Sequence, residues 1–264
     1  MIRKGIFFLL MIGLVGLSSC SKFQKLLKSS DNEIKYEKAV ELYNCGDYYR
    51  ALQLFDQVLP FFKGTDKAQE LNFFYPYCYF EQRDYIMASY YFMRYAKNYP
   101  NNERAEECVY MSAYCKYLKS PMSSLDQTNT YEAIAELQLF INIYPDSYRV
   151  ENCNNMIDKL REKLEEKNFN SALLYYKMEH YKSAILSFEN VLKDFPNTKY
   201  KEDILFYIIK SYYEYASNSV IEMQEDRYSA AIESYENLRF SFPESKYLKQ
   251  TEKIYNISKE VINN

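Results

Sequence analysis

One short phrase is spelled four times along this chain: Tyr99-Pro100-Asn101-Asn102, Tyr144-Pro145-Asp146-Ser147, Phe195-Pro196-Asn197-Thr198 and Phe242-Pro243-Glu244-Ser245. Proline cannot continue a helix, and Asn, Ser and Thr side chains accept hydrogen bonds from the free N–H groups at a helix start. Each phrase therefore predicts a helix end followed by a helix N-cap, at Asn102, Ser147, Thr198 and Ser245. Only five glycines are present, and three of them (Gly5, Gly13 and Gly16) crowd the N-terminus. A chain so poor in positions for left-handed turns has few sites for β-hairpins, and helices joined by short polar turns are the expected fold.

Counting back from each proline gives a register. Ala88, Ala133, Ala184 and Ala231 share one offset from their prolines; Phe92, Leu137, Phe188 and Tyr235 follow one turn later, then Tyr95, Phe140, Val191 and Leu238. Tyr48, Ala51, Phe55 and Val58 form a fifth copy without the proline, with Phe62 and the cap Thr65 in step. Steps of three and four put each set on one helix face. The pattern resembles the tetratricopeptide repeat, a helix-turn-helix unit of about 34 residues. The resemblance implies an all-α superhelical solenoid of about five repeats plus a C-terminal capping helix, about eleven helices in all. Ala39 and Ala172 occupy the small position of the first helix in repeats one and four, whereas repeat two carries Pro76 there, which should kink or shift that helix. Gly46-Asp47-Tyr48 and Arg83-Asp84-Tyr85 supply the turns between paired helices.

Successive anchor alanines (Ala51, Ala88, Ala133, Ala184, Ala231) all stand further apart than the roughly 34 residues of such a unit, so extra residues lie within or between repeats. Ser120 to Asn129 and Ser217 to Asp226 read as insertions between paired helices. Arg149 to Lys177 has neither Gly nor Pro and reads as one long connecting helix, or two nearly in line. The stretch from Tyr247 to Ile262 is amphipathic and reads as the cap.

The first residues differ in kind. Arg3 and Lys4 precede an apolar run from Gly5 to Leu17. At about 1.5 Å per residue such a run spans about 20 Å, short of the roughly 30 Å hydrocarbon core, and fits a cleaved signal better than a transmembrane helix. Leu17-Ser18-Ser19-Cys20 resembles a lipobox, the bacterial signal in which Cys20 is diacylated and becomes the mature N-terminus. Residues 1–19 are then the signal and 20–31 a basic tether (Lys22, Lys25, Lys28) that leans on anionic headgroups. Removing the signal takes away Arg3 and Lys4 and leaves 31 basic and 36 acidic side chains, a formal charge of −5. A mildly acidic chain is a poor nucleic-acid ligand, and the expected lipid partner is the outer membrane, reached from the periplasmic face.

Catalytic chemistry finds little material. His180 is the one histidine and falls in a turn, while Glu106-Glu107 and Glu165-Glu166 are surface helix charges without a convergent partner. No metal site or cofactor is expected beyond the lipid on Cys20, and the chain is not expected to be an enzyme. Cys45, Cys78, Cys108, Cys115 and Cys153 are odd in number and have no zinc-finger spacing. Cys108 and Cys115 read as small apolar core residues.

Over nearly the whole mature length the chain resembles the YfiO family, lipoproteins of the outer-membrane β-barrel assembly machinery. The likeness rests on the lipobox, the insertion Ser124-Leu125-Asp126-Gln127-Thr128, the run Phe140-Ile141-Asn142-Ile143-Tyr144-Pro145 and the long helix with Lys159-Leu160-Arg161-Glu162-Lys163-Leu164. The resemblance implies a non-catalytic adaptor. Its N-terminal repeats (32–101) would receive unfolded barrel precursors. Repeat three with its insertion would occupy 102–147, and the C-terminal half (148–264) would dock on the POTRA domains of the barrel-forming subunit, with further lipoproteins of the complex as partners.

First helices line the concave face in such arrays, so the expected peptide-binding stripe is Tyr36, Val40, Tyr43, Phe73, Tyr77 and Phe80. Tyr offers rigid aromatic area with a hydroxyl that can serve main-chain groups. Lys199, Lys201, Glu202 and Asp203, at the start of the first helix of repeat five, are the expected docking residues. A lipid-anchored glycan receptor or a cell-envelope scaffold on the same repeats is the alternative. The glycan reading is weakened by the complete lack of Trp, the side chain that usually stacks on sugar rings.

Overall fold

The structure, a computed structural model, describes residues 22–263. The signal reading of residues 1–19 and the acylation of Cys20 lie outside them. All elements among the described residues are helical: a short run at 22–27, then α1 (Asn32–Asn44), α2 (Tyr48–Val58), α3 (Asp66–Glu81), α4 (Tyr85–Asn98), α5 (Ala105–Lys119), α6 (Thr128–Ile143), α7 (Val150–Lys177), α8 (Tyr181–Asp194), α9 (Lys201–Ser217), a 3₁₀ turn (Ile221–Met223), α10 (Gln224–Ser241) and α11 (Leu248–Asn263). No described helix is long and apolar enough to cross a membrane. The described residues divide into two compact units, 22–120 with 128–157, and 121–127 with 158–263.

Each unit is built of helical hairpins whose interior is the predicted register. Ala51, Ala88, Ala133, Ala184 and Ala231 are all fully buried, with Phe55, Phe92, Leu137 and Phe188 equally so. An alanine at that point leaves no side chain to hold the paired helix off, and the aromatic or leucine one turn later fills the space beside it. Pro76, at the corresponding point of α3, is buried, and the helix runs through it from Asp66 to Glu81. The expected insertion in repeat three is confined to 120–127, because α6 begins at Thr128. Its loop is closed by Gln127, whose amide donates to the carbonyls of Met122 and Leu125 at 2.7 and 2.9 Å, and by Lys167, which donates to the Leu125 carbonyl at 2.7 Å. The insertion expected from Ser217 to Asp226 shrinks to a short loop and a 3₁₀ turn, because α10 already starts at Gln224.

The turns between paired helices use a left-handed residue followed by a polar one. Gly46, Arg83 and Glu179 have φ of 78°, 63° and 62°; only the first is the residue that adopts this region without cost. Asp47 and Asp84 then cap the next helix by accepting from the N–H of Arg50 and Met87. His180 takes the same place in repeat four without a side-chain cap.

Between repeats, the phrase with proline folds identically four times. The N–H of Asn102, Ser147, Thr198 and Ser245 donates to the carbonyl of the aromatic before proline at 3.0–3.1 Å. Their side-chain oxygens accept from the N–H two positions on at 2.9–3.2 Å, and their carbonyls from the N–H three positions on at 2.9–3.2 Å. These residues open a turn before the α-helix, which starts only at Ala105, Val150, Lys201 and Leu248, so the expected N-caps are corrected to turn openers. Thr65, in the copy without proline, caps α3 directly, accepting from Ala68 N–H. There the helix starts one residue past the cap, at Asp66.

Residues 22–27, within the expected tether, pack against repeat one. Phe23 is buried in the same cluster as Ala39, Leu42 and Ala51, with Leu26 and Leu27 packed beside it, and the Arg50 guanidinium lies 5.5 Å from the Phe23 ring centroid.

Candidate functional site

The step from Tyr36 to Phe73 also carries Val40 onto Tyr77 and Tyr43 onto Phe80, and repeating it carries that second row onto Tyr110, Tyr114 and Tyr117. The three rows lie at matching positions of α1, α3 and α5, and all nine side chains are half-buried. Tyr110, Tyr114 and Tyr117 lie nearly parallel to one another, with centroids 6.0 and 6.1 Å apart and planes within 15°. Phe80 stands 6.1 Å from Tyr114, bridging α3 and α5. Sequence reasoning missed this third row. Its anchor, Ala133, is displaced by the insertion, but the same step counted forward from α3 finds it.

The structure also changes what the six expected residues are free to do. The top of each row is covered by a residue of the next repeat, two positions after Thr65, Asn102 or Ser147. Lys67 lies 4.9 Å from the Tyr36 centroid, Arg104 lies 4.4 Å from Phe73 and Arg149 lies 4.7 Å from Tyr110. Tyr36 donates its hydroxyl to Glu70 at 2.5 Å, and Tyr77 donates to Glu107 at 2.5 Å. Tyr43 stacks on Phe74 at 4.5 Å and meets Tyr48 edge-on. The expected stripe is therefore a set of seams as much as a surface. Each ring shows only part of itself, and a ligand would meet ring edges and hydroxyls already held in place.

The two hydroxyls bonded to carboxylates stay protonated. Burial first, then the hydrogen bond to Glu70, pushes the Tyr36 hydroxyl up to about 12. Burial and then Glu107 push Tyr77 higher still. Such hydroxyls are donors at any physiological pH, and their carboxylate partners are already occupied. No group of three or more His, Cys, Asp or Glu among the described residues is placed to hold a metal ion. Burial raises the thiols of Cys78 and Cys115 to about 12 and Cys153 to about 11, the opposite of a reactive cysteine.

In the second unit the same covering position carries tyrosine. Tyr200 stacks on Phe169 at 4.4 Å and 5°, and Tyr247 on Phe206 at 4.0 Å and 12°. The expected docking residues lie around these stacks. Lys199 and Lys201 are exposed, but the Lys199 N–H donates to Glu165 at 3.1 Å. Asp203 is not free for a partner, since it accepts from the Tyr247 hydroxyl and faces Lys246 Nζ at 3.5 Å. With Glu202 it forms the acidic first turn of α9, where carboxylates complement the helix dipole.

A different surface lies on the second helices of the first unit. A cleft of about 590 Å³ runs between α4 and α6. Its floor is closed by the paired hydroxyls of Ser89 and Ser112 at 3.0 Å, and the Lys116–Glu136 ion pair at 2.8 Å crosses it.

Helical hairpins that repeat a buried alanine, a covering cation or tyrosine and a hydrogen-bonded proline turn define a protein of the tetratricopeptide type. Residues 28–222 match the YfiO family of outer membrane lipoproteins, and the chain belongs to that family. It is 24% identical over 204 residues to the putative outer membrane protein assembly factor BamD of Aquifex aeolicus (strain VF5), covering 76% of this chain and 67% of that one. It is 23% identical over 163 residues to the outer membrane protein assembly factor BamD of Caulobacter vibrioides, covering 57% of this chain and about half, 53%, of the relative. Among solved structures, the tetratricopeptide domain of P58(IPK) aligns with 91% of this chain and 68% of its own at a TM-score of 0.41 and 15% identity.

Proposed function

We propose that this chain is a non-catalytic lipoprotein of the machinery that assembles β-barrel proteins in the outer membrane, held on the periplasmic face by acyl chains on Cys20. Membership of the outer membrane lipoprotein family over residues 28–222 carries this reading, and the two relatives named as assembly factors give it its direction. Unfolded barrel precursors are the expected cargo of the first unit. An extended strand alternates side chains and leaves main-chain groups unpaired. The three-row ladder offers what such a strand requires, fixed ring edges for its apolar side chains and oriented hydroxyls for its backbone. The exposed end of α9 around Lys199 and Lys201 is the proposed contact with the POTRA domains of the barrel-forming subunit.

The test is affinity purification of the tagged lipoprotein from detergent-extracted envelopes, with a photo-crosslinking residue at Tyr114 and, separately, at Lys201. A POTRA-bearing barrel protein is expected in the eluate, crosslinked from position 201, and precursors crosslinked from position 114. Recovery of no POTRA-bearing protein, with or without mild crosslinking, overturns the proposal.

A further inference from the structure

The helical run at 22–27 has two sides of different chemistry. Phe23, Leu26 and Leu27 pack into the core of repeat one. Lys22 and Lys25 lie one helical turn apart and are exposed, as is Lys28 just beyond, and no described carboxylate forms an ion pair with any of them. Beside the run lies a cleft of about 610 Å³ lined by Lys22, Phe23, Leu26, Glu41, Cys45 and Arg50 among others.

We propose that residues 22–28 are a membrane-facing strut that holds repeat one directly against anionic phosphate headgroups. The inference rests on the reading of Cys20 as the acylated residue. Two steps of chain separate Cys20 from Lys22, at most about 7 Å even fully extended. A flexible tether would let the repeats hang away from the bilayer. A helix fixed by a buried phenylalanine does not, because undocking it would expose Phe23. The attraction of a lysine to an anionic surface decays over a Debye length of about 8 to 10 Å. The chain from Cys20 to Lys22 is shorter than that, so Lys22 stays within the headgroup field for as long as the acyl chains stay in the bilayer, and a run lying along the surface brings Lys25 and Lys28 into it as well. Repeat one, and with it the Tyr36 row, is then the membrane-proximal end of the first unit.

Cys45 supplies the test. It is the exposed cysteine among the five free ones described, and it lines the cleft beside the strut. The full acylated chain, carrying a donor fluorophore on Cys45, is reconstituted into vesicles of phosphatidylcholine with or without phosphatidylglycerol and with headgroup-labelled acceptor lipid. Strong energy transfer is expected, greater with phosphatidylglycerol and reduced by salt. A Gly-Ser insertion of about 12 residues between Ser21 and Lys22, with an r.m.s. span of about 20 Å, should lower the transfer while the protein still floats with the vesicles. Replacing Lys22, Lys25 and Lys28 together by Gln should abolish the phosphatidylglycerol and salt dependence without altering the fold read by circular dichroism. Flotation, compared with a Cys20→Ser control, reports on the anchor separately. A wild-type chain that floats but transfers no better than its Gly-Ser variant overturns the strut with the anchor intact. A wild-type chain that fails to float overturns both.

Discussion

The guanidinium of Arg104 lies 4.4 Å from the centroid of Phe73, so a side chain just past one repeat's turn-opening asparagine is the lid on the aromatic ring of the repeat before it. Replacing Arg104 by Ala removes a cation–π contact at a half-buried seam and should lower stability by about 1 kcal/mol, with Arg104→Lys intermediate. Urea unfolding with intact slope and a reduced midpoint is the expected result. An unchanged midpoint would show that the lid is decorative.

Pro76 sits inside α3, where its missing N–H leaves the Asn72 carbonyl without its helical partner. Proline in a helix interior costs about 3 kcal/mol relative to alanine, and the equivalent residue of repeat one is the fully buried Ala39. Pro76→Ala should therefore raise the thermal midpoint. A fall would mean that the ring's packing outweighs the lost hydrogen bond.

Alkaline pH should loosen the repeats. The thiols of Cys78 and Cys115 move from 9.0 to about 12 on burial, and the Tyr36 hydroxyl from 10.0 to about 12. A group whose pKa is higher in the folded state contributes stability that is whole below its unfolded pKa and is lost as pH climbs toward the folded value. Stability is expected to hold to about pH 9 and to decline from there to about pH 12. In the folded protein at neutral pH a thiol reagent should modify Cys45 rapidly and the four buried cysteines only after denaturation.

Within the ladder, Tyr77→Phe keeps the ring against Phe92 and deletes the hydroxyl held by Glu107. Tyr114→Ala deletes a ring that bridges two neighbours. A fluorescent peptide with the alternating pattern of a barrel strand should bind Tyr114→Ala about tenfold more weakly, corresponding to roughly 1.4 kcal/mol, and Tyr77→Phe only slightly more weakly. Equal losses in both would place the binding in the hydroxyls.

What the sequence disclosed was whatever depends on neighbours three or four positions away. Ala88 and Phe92 share a helix face and announce it. The position of α7, free of Gly and Pro, was legible for the same reason. What stayed hidden depends on partners far along the chain. Phe23 reads as one apolar residue in a basic stretch until Arg50, from the far helix of the first hairpin, is folded over it. Asp203 looks free until Tyr247 reaches it from 44 residues away. The expected caps erred because Ser147 and its equivalents can serve a turn or a helix with the same oxygen, and here that oxygen accepts from the N–H two positions on. Of the three aromatic rows, two were named from the repeat resemblance, and the third was lost where the inserted loop moved the alanine used for counting.

One position, two past each turn-opening side chain, is cationic in the first unit and tyrosine in the second. Attraction between a charge and a ring face fades as ions accumulate, whereas stacked rings hold or tighten in a salting-out medium. The cationic covers over Tyr36, Phe73 and Tyr110 should therefore loosen as salt rises, while the stacks of Tyr200 on Phe169 and Tyr247 on Phe206 hold.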